Sequence, residues 1–366
     1  MHINSRSGKM KSYDSIIIGG GVIGSTIAHC LAEQGLHVAI LEKNEIASGA
    51  SHAAAGLLGV QAEWDEYDPL YDMARKSRAL FPKVAEKIRE KTGIDIGYEA
   101  KGIYRIAHTE EEWQRIKEIR TWQIAAGEEA VLLSSEEVRK VEPNVSSEIV
   151  GAVYYPTDGH VLAPALTKGQ ALAAAASGAE IFEYTTVLQI VVKDEKVTGV
   201  QTTEGFFPCK QVCITTGAWS TPFLKQFNKN YGTYPVKGEV ISLKSNRPLL
   251  KAPLFLKRFY IAPKRYGKYV IGATMEPHSF QEQVKASSVA DILQRAFSIL
   301  PALQDATWDR TWAGLRPESN EGRPYMEAHP TIQGLFVSTG HYRNGILLSP
   351  FVGEYMANKM VGNYVY

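Results

Sequence analysis

The chain has 366 residues, with 40 Lys and Arg against 39 Asp and Glu, a formal net charge of +1. The length suits two domains or one elaborate one, and the charge balance argues against a nucleic-acid footprint and an electrostatic membrane anchor. A hydrophobic fraction of 45% beside 22% charged residues is ordinary for a soluble globular chain.

Residues 1–12 are polar and carry a second methionine, Met10, so they are set aside from the fold argument. Ser15-Ile-Ile-Ile18 reads as a strand buried on both faces, because strands of a parallel sheet are continuously apolar. Gly19 to Gly24 form a turn, Ser25 to Glu33 an amphipathic helix ended by Gly35, and Leu36 to Leu41 the next strand. This is one βαβ unit. A helix is expected over 69–91, strands at 98–107 and 151–155, and helices at 110–126, 135–141 and 163–178. Strands follow at 180–184 and 211–216, with a hairpin pairing 187–192 and 199–203. Residues 235–275 alternate apolar and polar with period 2, which predicts antiparallel sheet turning at Arg265-Tyr-Gly-Lys268. A helix over 288–300, a strand over 334–338 and a helix over 345–360 complete the pattern. The alternation implies an α/β plus α+β protein: a Rossmann-like dinucleotide domain with a discontinuous antiparallel-sheet substrate domain. The expected bounds are 11–95, 160–225 and 306–366 for the first and 96–159 and 226–305 for the second. No stretch approaches the roughly 20 apolar residues of a membrane span, so no membrane association is expected.

Gly19-Gly-Gly21-Val22-Ile23-Gly24 satisfies GxGxxG. Gly19 permits the tight turn, Gly21 lets backbone approach a pyrophosphate, and Gly24 allows close helix–strand packing. The helix N-terminus offers free N–H groups and its positive dipole end to phosphates. Glu42 lies 18 residues after Gly24, at the end of the second strand, where a carboxylate can accept from a ribose hydroxyl. The acid favours FAD or NAD over NADP, an inference that the neighbouring Lys43 weakens slightly. The small-residue run Ala47–Gly56 suits a groove beside an extended cofactor, although a plain loop would have the same composition. A second unit, Phe336-Val-Ser-Thr-Gly340-His-Tyr-Arg-Asn-Gly345, opens another helix near the C-terminus. Its N-terminus would stabilise the negative charge of a reduced flavin. The alternative is one more packed βα unit. The three cysteines, Cys30, Cys209 and Cys213, match neither a disulfide framework nor a zinc site and read as reduced structural thiols in a cytoplasmic protein. No GxSxG, HExxH or GK[ST] motif points to other chemistry.

Several segments go further: Ser51-His-Ala-Ala-Ala-Gly-Leu-Leu-Gly59, Pro235-Val-Lys-Gly-Glu239, Tyr260-Ile-Ala-Pro263, Gly272-Ala-Thr-Met275, Trp312-Ala-Gly-Leu-Arg-Pro317 and Gly340-His-Tyr-Arg-Asn-Gly-Ile-Leu-Leu348. On these the chain, from Tyr13 onward, resembles the D-amino-acid oxidase superfamily of FAD-dependent amine oxidoreductases, and within it the glycine oxidases of thiazole (thiamine) biosynthesis. The resemblance implies that Arg316 binds the substrate carboxylate with help from the Tyr260 hydroxyl. Arg343 would be a second arginine near flavin and substrate, and Met275 would line a small cavity over the flavin. The plainer readings are an ion-pair partner for Arg316, a surface or capping role for Arg343 and a core place for Met275. FAD contacts are implied for Gly19, Gly21, Val22, Ile23, Gly24, Glu42, Lys43, Ala50, Ser51, Ala55, Gly56, Leu57 and Val187. They are implied also for His341, Tyr342, Arg343, Asn344, Gly345, Ile346 and Leu347. His52 and His341 are read as structural or hydrogen-bonding groups, since the implied chemistry needs no acid or base and no metal.

The implied reaction is oxidative deamination of glycine, sarcosine or small D-amino acids by hydride transfer to flavin N5. It would give an imine, then glyoxylate and ammonia for glycine, with hydrogen peroxide from O2. A homotetramer is implied as well. Related sarcosine oxidases hold FAD through a C-terminal cysteine, and no cysteine lies beyond Cys213, so non-covalent FAD is expected. A sarcosine or D-amino-acid oxidase, or a quinone-linked D-amino-acid dehydrogenase, is the alternative of the same fold. One departure stands out: Arg258, preceded by Lys257, replaces a neutral or weakly basic histidine of the family pattern. An added cation there would favour substrates with a second anionic group.

Overall fold

The computed structural model describes residues 12–227 and 231–363. Its first sheet has eight strands. Tyr13–Ile18 pairs in parallel with Val38–Leu41 on one side and with Gly205–Ile214 on the other. Glu180–Phe182 extends one edge, and Leu335–Thr339 with antiparallel Tyr325–Ala328 extends the other. The hairpin Val187–Lys193 and Lys196–Thr202 joins through Gly205–Ile214. The second half of this strand, Ile16–Ile18, is apolar and buried because both its faces are covered. Ile17 packs among the helices on one side, whereas Ile16 and Ile18 enter a separate apolar cluster on the other.

Helix Val22–Glu33 lies against Ala163–Ala176 and against the last helix, Gly345–Met360. The approach is close. A Cβ on Gly353 would stand 2.4 Å from Thr26 Cγ2. The long helix Pro69–Thr92, capped by the Asp68 carboxylate and ended by left-handed Gly93, packs on the same helical layer.

The second sheet has nine strands and is antiparallel except where Leu254–Leu256 meets Ile103–Ala107. Its longest pair joins Thr233–Lys244 to Thr307–Ser319 over twelve register partners. Helix Ala286–Ile299 covers one face through Ile292, Ala296 and Ile299. Two features depart from the sequence expectation. The strand expected over 98–107 starts only at Ile103, since Gly102 has positive φ and interrupts it. Residues 307–319, expected with the dinucleotide domain, run in the second sheet, because their backbone finds its partners along Thr233–Lys244. Among the described residues no helix is long and apolar enough to cross a membrane.

Candidate active site

The two sheets meet at a cavity of about 1000 Å³. One end is built by the first glycine turn. A Cβ on Gly19 would come within 2.8 Å of the Thr215 carbonyl oxygen, and one on Gly24 within 2.1 Å of the Gly19 carbonyl oxygen. Gly24 therefore does not line the cavity; it lets the helix sit down on the strand. Gly21 is open, with nothing nearer to its would-be Cβ than Ser51 Oγ at 3.4 Å. The Val22 N–H donates to Ser51 Oγ at 3.0 Å. Glu42 accepts from the Gly20 N–H at 2.7 Å and the Asn44 N–H at 2.9 Å, which holds its carboxylate beside the turn. Lys43 lies over the Trp219 ring at 3.8 Å. Ala50, Ala55, Leu57 and Val187 line the cavity further in. Position 56 needs glycine twice over, since its φ is +73° and a Cβ there would lie 2.3 Å from the Val161 carbonyl oxygen.

Opposite, a short 3-10 turn, Tyr342–Asn344, runs into helix Gly345–Met360. That helix has no side-chain N-cap, and Gly345 and Ile346 at its start line the cavity. His341 lines the wall with its Nε2 buried and, among the described residues, without a hydrogen-bond partner. Burial pulls its pKa down to about 3, so the ring is neutral. Leu347 is a correction to the sequence expectation. One step further along the helix turns its side chain away, and it is buried in the core among the helices. His52 is exposed and does not line the cavity.

The far wall belongs to the second sheet. Arg316, Tyr260 and Met275 all face the cavity. Register sets Arg316 opposite Val236, and its guanidinium lies over Gly238, where a Cβ would stand 2.1 Å from Nη1. Its one hydrogen bond runs to the Thr274 carbonyl oxygen at 3.2 Å, and it has no ion-pair partner among the described residues. Burial, with the like charge of Arg343, pulls its pKa below the ordinary arginine value. Burial also raises the Tyr260 phenol, which stays a hydrogen-bond donor at neutral pH. Arg343 reaches in from the other side, and its Nη2 meets the Glu63 carboxylate at 2.9 and 3.0 Å. Burial opposes the Arg343 charge, but Glu63 outweighs it and the pKa lies above the ordinary value. Arg258 lines the mouth, exposed, at φ +62°. The three thiols are free, and burial pushes Cys30 and Cys209 up to about 12.

Sequence reasoning missed Glu63, Gly238 and the Thr215–Trp219 wall. Gly238 stood inside a quoted motif, but nothing in it showed that its missing side chain makes room for Arg316. Glu63 carried no signal beyond being a carboxylate close after a small-residue run.

A cradle with two helix starts whose own N-cap residues supply no side-chain cap, a close-approach glycine and a neutral buried imidazole fits a dinucleotide carrying a flavin. A guanidinium on the facing wall, without an ion-pair partner among the described residues, fits a carboxylate. Fold and cavity together define a dinucleotide-dependent oxidoreductase acting on a small acid. The chain belongs to the family of FAD-dependent oxidoreductases whose model, DAO, matches residues 14–359. It is 43% identical over 348 residues to a glycine oxidase of Geobacillus kaustophilus, covering 94% of this chain and 92% of that protein. It is 31% identical to a bifunctional ThiO/ThiG protein of Trichormus variabilis, covering 95% of this chain and 52% of that one. Among solved structures, a glycine oxidase from Bacillus cereus superposes with a TM-score of 0.94 at 57% identity, covering 97% and 96% of the two chains.

Proposed function

We propose that this chain is an FAD-dependent glycine oxidase that also takes other small amines such as sarcosine and small D-amino acids. It would supply the glycine imine for the thiazole of thiamine, or release glyoxylate and ammonia. The carrying observation is the unpaired Arg316 guanidinium facing the dinucleotide cradle across one cavity. The names of the relatives favour this reading over the quinone-linked alternative.

FAD, when bound, supplies the two-electron acceptor, and its reoxidation by O2 yields hydrogen peroxide. Glu42, the Gly19–Ile23 turn, Ser51 and the Gly345 helix start would hold it without a covalent bond. Arg316 offers its planar fork to the substrate carboxylate, and the protonated Tyr260 hydroxyl donates a further bond. This orients the substrate Cα toward the cradle and excludes other poses. Met275 narrows the space left for a side chain. His341 stays neutral and moves no proton. Cytoplasmic placement is supported by the free thiols, and a homotetramer by the family resemblance.

The test is an anaerobic titration of the holoenzyme with glycine, sarcosine and D-alanine. The oxidised flavin band at about 450 nm is expected to bleach and to return when air is admitted. A yellow protein that none of the three bleaches would overturn the reading, and bleaching without rapid return in air would point to the quinone-linked alternative.

A further inference from the structure

We propose that Glu63 is a specificity-determining residue that restricts the inner site to substrates bearing a single carboxylate. The proposal rests on the reading above that Arg316 takes the substrate carboxylate.

The charges of the cavity wall carry the argument. Arg316 and Arg343 are both cations, and each feels the other. Glu63 is the carboxylate that engages Arg343, with both oxygens on one guanidinium nitrogen. Its charge also acts on Arg316 and Tyr260, so it lies within electrostatic reach of every group placed against the substrate. Arg316, Arg343 and Glu63 together thus leave the inner wall with one uncompensated positive charge, Arg258 being a separate, exposed cation at the mouth. One substrate carboxylate cancels it. A second would enter a recessed site whose other cation is already taken, and an unpaired charge there is costly.

Glu63 cannot easily swing aside to release Arg343. It ends the short helix Val60–Glu63, and that helix is fastened from below. The N–H groups of Gln61 and Ala62 donate to the buried Asp158 carboxylate at 3.0 and 3.2 Å. Asp158 is held in turn by Arg78 at 2.8 Å, and Arg78 by Glu128 at 2.8 Å. The backbone that presents Glu63 to Arg343 is therefore a fixed feature of the wall. The resulting selection works by charge rather than by size, so it should separate two ligands small enough to fit equally well.

Acetate and malonate are such ligands, and neither can be oxidised. The holoenzyme is titrated with each, and the shift of the flavin spectrum gives the two dissociation constants. In Glu63→Gln the preference for malonate over acetate is expected to rise at least tenfold, because Arg343 is freed. In Arg343→Met, Glu63 is left bare. Both ligands should then weaken, malonate more than acetate, so the ratio moves the opposite way. A ratio unchanged within twofold in both variants overturns the proposal. Should Glu63→Gln fail to retain flavin, the direction in Arg343→Met decides. No turnover is read, so failure of glycine oxidation in the wild type would sink the proposed function while leaving this ratio measurable. An unchanged ratio beside normal glycine turnover would sink the charge selection alone.

Discussion

Arg316 is the residue on which substrate capture turns, and its surroundings give it little else to do. A structural arginine at this depth would be expected to meet a carboxylate, as Arg78 meets Asp158 and Glu128; Arg316 meets one backbone carbonyl. Replacing it by Leu leaves the incoming carboxylate without its partner, a loss of about 3–5 kcal/mol by analogy with broken buried pairs. At about 1.4 kcal/mol per decade, kcat/KM for glycine should fall by roughly two to three and a half decades. Flavin content should stay unchanged, since Arg316 stands on the opposite wall. Steady-state kinetics beside the visible spectrum of the variant check both parts. Arg316 was legible in advance because Trp312–Pro317 is a distinctive string. Glu63 was not, since its meaning lies wholly in its pairing with Arg343, 280 positions away.

At the scale of elements, the first turn and the last helix were readable because local rules dominate there. A triple-isoleucine strand running into glycines admits few structures, and the final helix spans Gly345–Met360 as its pattern predicts. Several strands escaped, two of them for plain reasons. Val131–Ser134 is a short, mostly exposed edge with no alternation to betray it. Thr307–Ser319 is half-buried along most of its length, so its polar and apolar residues do not alternate. The close seat of the first helix on its strand yields a direct prediction. Gly24→Ala would drive a methyl against the Gly19 carbonyl oxygen, a main-chain atom that cannot yield cheaply. A destabilisation of about 1–3 kcal/mol is expected from such overpacking, together with loss of bound FAD because the turn is displaced. The absorbance ratio of flavin to protein in the purified variant measures it.

Over the whole molecule, the protein commits buried histidines to the neutral form. Burial, with the charges of Lys264 and Lys101, pulls His160 down to about 2, and burial pulls His341 down to about 3. The unfolded chain takes up these protons below about 6.5, so between there and the folded values it binds more protons than the native state. Stability must therefore drop on acidification, by about 1.4 kcal/mol per pH unit for each such histidine. Asp158, which burial pushes up to about 6, works in the opposite direction, so the comparison is best made against a variant. His160→Gln keeps an acceptor for Lys264 and removes the titration. The melting temperature of the wild type should fall more steeply than that of the variant between pH 6.5 and 5. Equal slopes would show that His160 is not the group being protonated.

The central sheet has a further consequence for how the molecule comes into being. Leu335–Thr339 adds beside Gly205–Ile214, and the helix after it closes the cavity against a turn formed at residues 19–24. A chain emerging from the ribosome holds its opening βαβ unit long before the closing wall exists. Capture of the yellow cofactor should thus be among the last events of biogenesis, and a translation product arrested short of that final crossover should leave the ribosome colourless.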